Sequence, residues 1–246
     1  MINGDIVQIV EILGRAAQGR TRPFHCRGDD GRLYYVKGHD AGPRSLVSEW
    51  LASNLAKAFG LPIADFRVVE VPGMLRIAGL SDFDDLGEGF AFGSVEHENV
   101  AELTMSNIRK IPPTVRQDIV VFDWWVRNED RYLTDRGGNP NLLWDVAHQK
   151  VVVMDYNLAF DDTFNEGQFL VGHAFATDWS DVYQDWLARP AYELRMRQAL
   201  DRFDHACDTM PDEWLEVDFG VPHSLSIDGA RAILERYSLT EFWNEP

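Results

Sequence analysis

Short runs rich in β-branched and aromatic residues open the chain, and longer stretches with apolar residues three or four apart close it. Ile6 to Leu13 predicts a strand that runs into a polar, glycine-containing loop from Gly14 to Thr21. Phe24 to Arg27 and Leu33 to Lys37 flank Gly28-Asp29-Asp30-Gly31, a hairpin signal because glycine supplies the positive φ that such turns demand. Arg44 to Phe59 carries Leu46, Trp50, Leu51, Leu55 and Ala58 at helical spacing, and Gly60-Leu61-Pro62 ends that helix. Phe66 to Val71 and Met74 to Ala78 predict two more short strands. Ser81 to Glu88 reads as an acidic turn, and Gly89 to Ser94 as a short aromatic segment flanked by glycines. Beyond it, Asn99 to Arg109 and Pro113 to Arg127 predict helices, the second with Val115, Ile119, Phe122 and Val126 on one face. Two short apolar strands follow, Leu142 to Trp144 and Val151 to Met154. Asp178 to Leu187, Ala191 to Asp208 and Ile227 to Tyr237 complete a helical second part. Strands dominate before Gly93 and helices after it, so the pattern predicts an α+β chain divided into 1–93 and 94–246.

Composition narrows the classes open to such a chain. At 246 residues, 45% hydrophobic and 26% charged, it is long and apolar enough for a sizeable core. A formal net charge of -17 leaves no broad basic surface for nucleic-acid phosphates or for a membrane. Cys26 and Cys207 stand far apart, without the spacing of a metal or redox site, which fits a reducing compartment. The N-terminal residues lack a basic region followed by an apolar run, and no stretch reaches the roughly 18 apolar residues of a membrane span. The expectation is a cytoplasmic protein with no direct nucleic-acid or membrane partner.

Polar residues stranded among apolar strands carry the chemistry. Asp130 stands near the end of the segment Val126-Arg127-Asn128-Glu129-Asp130-Arg131, Asn141 precedes Leu142-Leu143, and Asp155 follows Val151-Val152-Val153-Met154. None of the three is cheap to bury, and together they suit phosphoryl transfer. One carboxylate orients an attacking hydroxyl, while an amide and a second carboxylate offer the hard oxygens that Mg²⁺ takes beside the phosphates of ATP. Lys37, at a strand end, would pair with those phosphates, and Glu49, beside the apolar stripe of its helix, would hold Lys37 in place. Asn128 reads as a brace for the loop and Arg131 has no defined role. His173 reads first as a packed histidine and second as a site residue.

These segments resemble the motifs of a known family. Asn128-x-Asp130-Arg131, Asn139 to Trp144, and Met154-Asp155-x-x-Leu158-Ala159-Phe160 look like the catalytic and metal-binding motifs of HipA-like kinases, a bacterial family similar in fold to protein kinases and phosphatidylinositol kinases. Tyr35-Val36-Lys37 and Leu46 to Trp50 resemble its nucleotide-lysine strand and helix. Gly14 to Pro23, with Gly14, Gln18 and Gly19, resembles the phosphate-covering loop, and Phe90 to Ser94, with Phe90 and Phe92, sits where the adenine-contacting hinge falls. The resemblance implies a bilobal kinase domain: an N-lobe of antiparallel sheet plus one helix over 1–93, then a mostly helical C-lobe over 94–246. It further implies ATP- and Mg²⁺-dependent transfer to serine or threonine of a protein, with an antitoxin-like partner. An inactive nucleotide- or partner-binding pseudokinase and a lipid or small-molecule kinase are the competing readings. The Tyr132 to Pro140 spacer is longer than in protein kinases, so Asn139 competes with Asn141 for the metal, and Asn141 is preferred for its place before Leu142-Leu143. Family toxins autophosphorylate on a serine of the phosphate loop, where this chain offers Thr21.

Overall fold

Three strands, β1 (Val7–Arg15), β2 (Phe24–Gly28) and β3 (Leu33–Lys37), run antiparallel in succession in the computed structural model, which describes residues 6–16, 22–78, 82–134, 137–218 and 221–244. Gly31 takes φ 79° at the turn between β2 and β3, and the Asp30 carboxylate accepts from the Arg32 N–H at 3.0 Å and the Tyr34 hydroxyl at 2.7 Å. The turn is thus set by local bonds. Helix α1 (Pro43–Phe59) begins with Pro43, where no backbone donor is needed, and ends at Gly60, whose φ of 94° returns its N–H to the Ala56 carbonyl. Then come β4 (Phe66–Val71), the short helix α2 (Phe83–Leu86) and β5 (Gly89–Val95).

The sheet differs from the one expected. It does not stay open and wholly antiparallel: β1 closes on β4 through the parallel pairs Val7↔Val69 and Gln8↔Glu70, making a five-stranded barrel in the order β1-β2-β3-β5-β4. Closure removes the free edges that an open sheet would leave. Val7, Ile9, Phe24, Cys26, Tyr34, Val36, Val69 and Val71 alternate into its interior. Strand β4 is buried on both faces, because Phe66 and Val68 turn outward onto α1. The expected strand at Met74 to Ala78 is instead a 3-10 turn spanning Gly73–Ala78. The expected acidic turn contains α2, whose Phe83 and Leu86 are drawn into the barrel. Strand β5 continues to Val95, past the division anticipated near Gly93.

The second part begins with another departure. In place of one helix from Asn99 to Arg109 stand β6 (Val100–Glu102) and a single turn, α3 (Met105–Ile108). Helical spacing is overridden here by a strand that needs a partner: β6 pairs with the later strand Leu142–Asp145, from Val100↔Asp145 to Glu102↔Leu143. Helix α4 (Pro113–Trp125) leads to the hairpin β7 (Tyr132–Thr134) and β8 (Gly137–Asn139), then to β9 (Leu142–Asp145) and β10 (Lys150–Val153). The chain ends in α5 (Glu166–Gly172), α6 (Ala176–Gln184), α7 (Arg189–Leu200), α8 (Phe203–Asp208), a two-strand ribbon of β11 (Glu216–Asp218) and β12 (Val221–Pro222), and α9 (Ile227–Glu235). One large core joins α1, α4 and the later helices to Phe242 and Trp243. Helix α1 is pinned into it by the Trp50 indole N–H, which donates to the Ala206 carbonyl at 2.8 Å. Among the described residues, no helix is long and apolar enough to cross a membrane.

Candidate active site

Lys37 is the last residue of β3, and the opposite side of its cleft is the buried face of α1. Its Nζ lies 2.7 Å from Glu49 Oε2 and 2.7 Å from Asp155 Oδ1, while Glu49 Oε1 accepts the Tyr156 N–H at 3.1 Å. The three side chains are 11%, 3% and 13% exposed, so solvent screens them little. Burial disfavours the Lys37 ammonium, but Asp155 and Glu49 outweigh it and raise its pKa above the ordinary value. Burial raises the Glu49 carboxyl against the pull of Lys37. Asp155 is lowered, because the Lys37 charge and hydrogen bond overcome its desolvation.

A cleft of about 620 Å³ opens at this group, a volume suited to a nucleotide. Gly14 and Arg15 line it from β1, Lys37 and Phe92 from the barrel, Glu49 from α1, and Asn139, Asn141 and Asp155 from the second part. Asn141 and Asp155 have φ of 49° and 62°, left-handed values that asparagine and aspartate tolerate better than other side chains. The Asn141 amide Nδ2 donates to the Asp130 carboxylate at 2.9 Å and to the Asp130 carbonyl at 3.0 Å, which makes Oδ1 the acceptor end of the amide. Asp130 is not on the cleft wall, and reaches it through Asn141. Asn139 lies on β8, paired with Tyr132, so the long spacer is a hairpin along the cleft.

Other expected residues lie elsewhere. Phe90 is not on the cleft wall: its N–H donates to Glu213 and its carbonyl accepts the Trp214 indole N–H at 3.0 Å. The stretch that lines the cleft after Phe92 is Ser94, Val95 and His97, with Val100 to Glu102. Asn128 is fully buried and donates to the Asp123 carboxylate at 3.1 Å. Gln18, Gly19 and Thr21 lie outside the described residues. Among those described, no three His, Cys, Asp or Glu side chains gather as a metal site. One amide and one carboxylate nonetheless fit Mg²⁺, which takes few protein ligands and completes its shell with phosphates and water.

Sequence reasoning missed Asp123 and left Arg131 undefined. Both are fully buried. Arg131 Nε donates to Asp123 Oδ2 at 2.6 Å and Nη2 to Oδ1 at 3.3 Å, while Nη1 faces the carbonyls of Pro140, Asn141 and Met154 at 3.2, 2.7 and 3.3 Å. His173 Nε2 lies 2.8 Å from Asp123 Oδ2, and its Nδ1 accepts the Phe175 N–H at 3.1 Å. That pairing makes the imidazole neutral, with its proton on Nε2. A signal was present, since Asp123 falls four residues after Ile119 on the apolar face of α4, where a carboxylate needs a buried partner.

A cleft with a lysine held by two carboxylates, closed by an amide and a carboxylate on consecutive strand ends, defines a class resembling kinases. The profile of the HipA-like kinase family matches residues 9–246, and the chain belongs to that family. A search of curated proteins finds no match. Among solved structures the chain is similar to the Helicobacter pylori proinflammatory kinase CtkA, at 11% identity and TM-score 0.45 over 96% of this chain and 92% of that one. It is also similar to the open conformation of CtTel1, at 15% identity and TM-score 0.29 over 93% of this chain and 12% of that one.

Proposed function

We propose that this HipA-like kinase transfers the γ-phosphoryl group of ATP, with Mg²⁺, to a serine or threonine hydroxyl of a protein. The observation that carries the reading is Lys37, held 2.7 Å from both Glu49 and Asp155 at the cleft. An ammonium has three N–H donors, so with two on carboxylates a third is available to a phosphate oxygen. Asp130 accepts the hydrogen bond of the acceptor hydroxyl and takes its proton as the oxygen bonds to the γ-phosphorus and the bond to the β-phosphate oxygen breaks, releasing ADP. Asn141 Oδ1 and the Asp155 carboxylate would hold Mg²⁺, which when bound neutralises charge on the phosphates. Loss of Asp130 removes the group that orients the nucleophile but leaves the nucleotide contacts in place.

Labelled-ATP transfer in a host lysate tests this. Asp130→Ala is expected to abolish labelling while ATP binding by calorimetry persists, and Asp155→Ala to remove the Mg²⁺-dependent part of that binding. Labelling equal to wild type in either variant overturns the assignment. The labelled band identifies the acceptor, and its absence from a membrane fraction excludes a lipid substrate.

A further inference from the structure

We propose that Asp123, Arg131 and His173 form a positioning triad that sets Asn141 and Asp155 for the cation through their backbones, a role that rests on the kinase reading above. The triad touches neither the cleft nor any reacting atom. Its action runs through carbonyl groups. Arg131 is planar and presents its N–H groups in a fixed fork, so once Nε and Nη2 grip Asp123 the direction of Nη1 is determined. Nη1 meets the carbonyl of Asn141, of Pro140 before it, and of Met154 immediately before Asp155. One guanidinium therefore caps the open end of the β9–β10 hairpin, where the Met154 N–H also donates to the Asn141 carbonyl at 3.2 Å.

The Asp123 carboxylate is the fixed point. It receives four donors: Asn128 Nδ2 and Arg131 Nη2 on Oδ1, and Arg131 Nε and His173 Nε2 on Oδ2. Each restricts its rotamer. His173 is itself held, stacked on Phe169 at 4.6 Å between ring centroids and fixed as the Nε2–H tautomer by Phe175. The backbone on either side of Asp130 is pinned to the same centre: the Asn128 N–H donates to the Asp123 carbonyl at 2.8 Å, and the Arg131 carbonyl accepts the Ala174 N–H at 2.8 Å. A fully buried ion pair adds little net stability compared with apolar residues of the same volume. Stability alone thus gives little reason for this pair in the middle of an aromatic core, whereas aligning three segments does.

Lysine cannot reproduce the fork, and leucine cannot donate to Asp123, but glutamine can supply an N–H where His173 has one. The test uses the full chain with Arg131→Lys, His173→Leu and His173→Gln. Calorimetric titration with ADP, with and without Mg²⁺, is expected to show the Mg²⁺-dependent gain in affinity reduced about tenfold or more in Arg131→Lys and His173→Leu, as for outer partners of metal ligands. Metal-free ADP affinity should stay unchanged, and His173→Gln should recover most of the gain. An intact gain in both of the first two variants, or an equal loss with and without Mg²⁺, overturns the proposal.

The ¹⁵N–¹H spectrum of the nucleotide-free chain separates this inference from the kinase reading. The Asn141 and Asp155 amide resonances are expected to move in Arg131→Lys and His173→Leu and to return toward wild type in His173→Gln. Resonances that do not move overturn the positioning role even where phosphate transfer is intact. A wild type whose ADP binding ignores Mg²⁺ defeats the metal-dependent reading, and the same spectra still decide the triad.

Discussion

A buried carboxylate is expensive unless every lone pair finds a donor, and Asp123 meets that condition with an arginine, a histidine and an asparagine. Burial lowers the pKa of His173 below its ordinary 6.5 despite Asp123, and keeps the ring neutral. Above pH 6.5 the folded and unfolded chains are alike at this residue. Below it the unfolded chain binds a proton that the folded imidazole refuses, so stability falls as pH falls, by up to about 1.4 kcal/mol per pH unit. Asp123, lowered below 3.8 because Arg131 and His173 overcome its desolvation, adds stability that is present above 3.8 and lost as pH falls through its folded value. Urea unfolding at pH 7.5 and 5.5 measures the first effect. The difference between the two pH values should be smaller in His173→Gln than in wild type, and equal slopes would show that His173 is not held neutral.

At the scale of elements, the β7–β8 hairpin turns a long spacer into a wall of the cleft. Gly138 and Asn139 line that cleft, while Tyr132, paired with Asn139, is half exposed on the far side against Gly172. A Cβ on Gly138 would collide with the Tyr132 carbonyl and come within 2.8 Å of Leu133 Cα, so the strands could not keep their spacing. Gly138→Ala should therefore weaken ADP affinity several-fold, by about 1 kcal/mol, as an overpacked site must shift. Calorimetry reads this directly, and an unchanged affinity would mean that the hairpin does not shape the site.

Across the whole molecule, α1 belongs to the barrel by sequence order but to the helical core by packing. Phe59 at its end lies against Phe122, Trp125 and Tyr192, with the Arg195 guanidinium 4.0 Å from its ring. Arg195 also donates to the Phe59 carbonyl and to Asp118, so the end of α1 is fixed on both α4 and α7. Because Glu49 rides on that helix, the packing that anchors α1 also sets the height of Lys37 in the cleft. Phe59→Ala should cost about 3–5 kcal/mol in urea unfolding, the range for a large aromatic truncated in a core. A loss below 1 kcal/mol would show that α1 is held chiefly by the barrel.

What the sequence determined by itself is what neighbours along the chain decide: the β2–β3 hairpin with its Gly31 turn, α1 between Pro43 and Gly60, and α4 with its apolar face. Those features rest on period, on φ and on caps, each set within a few residues. The order of polar residues from Lys37 to Asp155 also belonged to the sequence, and with it the family motifs. Tertiary structure alone decided the parallel closure of β1 on β4, the strand character of β6, and the removal of Phe90 from the cleft. It alone decided that Arg131, which no local pattern explains, meets Asp123 and three carbonyls. The physical reason is that strand pairing, the partners of Phe90 and the pairing of buried charge depend on which segments the fold brings together, from 8 residues away for Arg131 and Asp123 to 123 for Phe90 and Glu213, and a period read along the chain does not contain them.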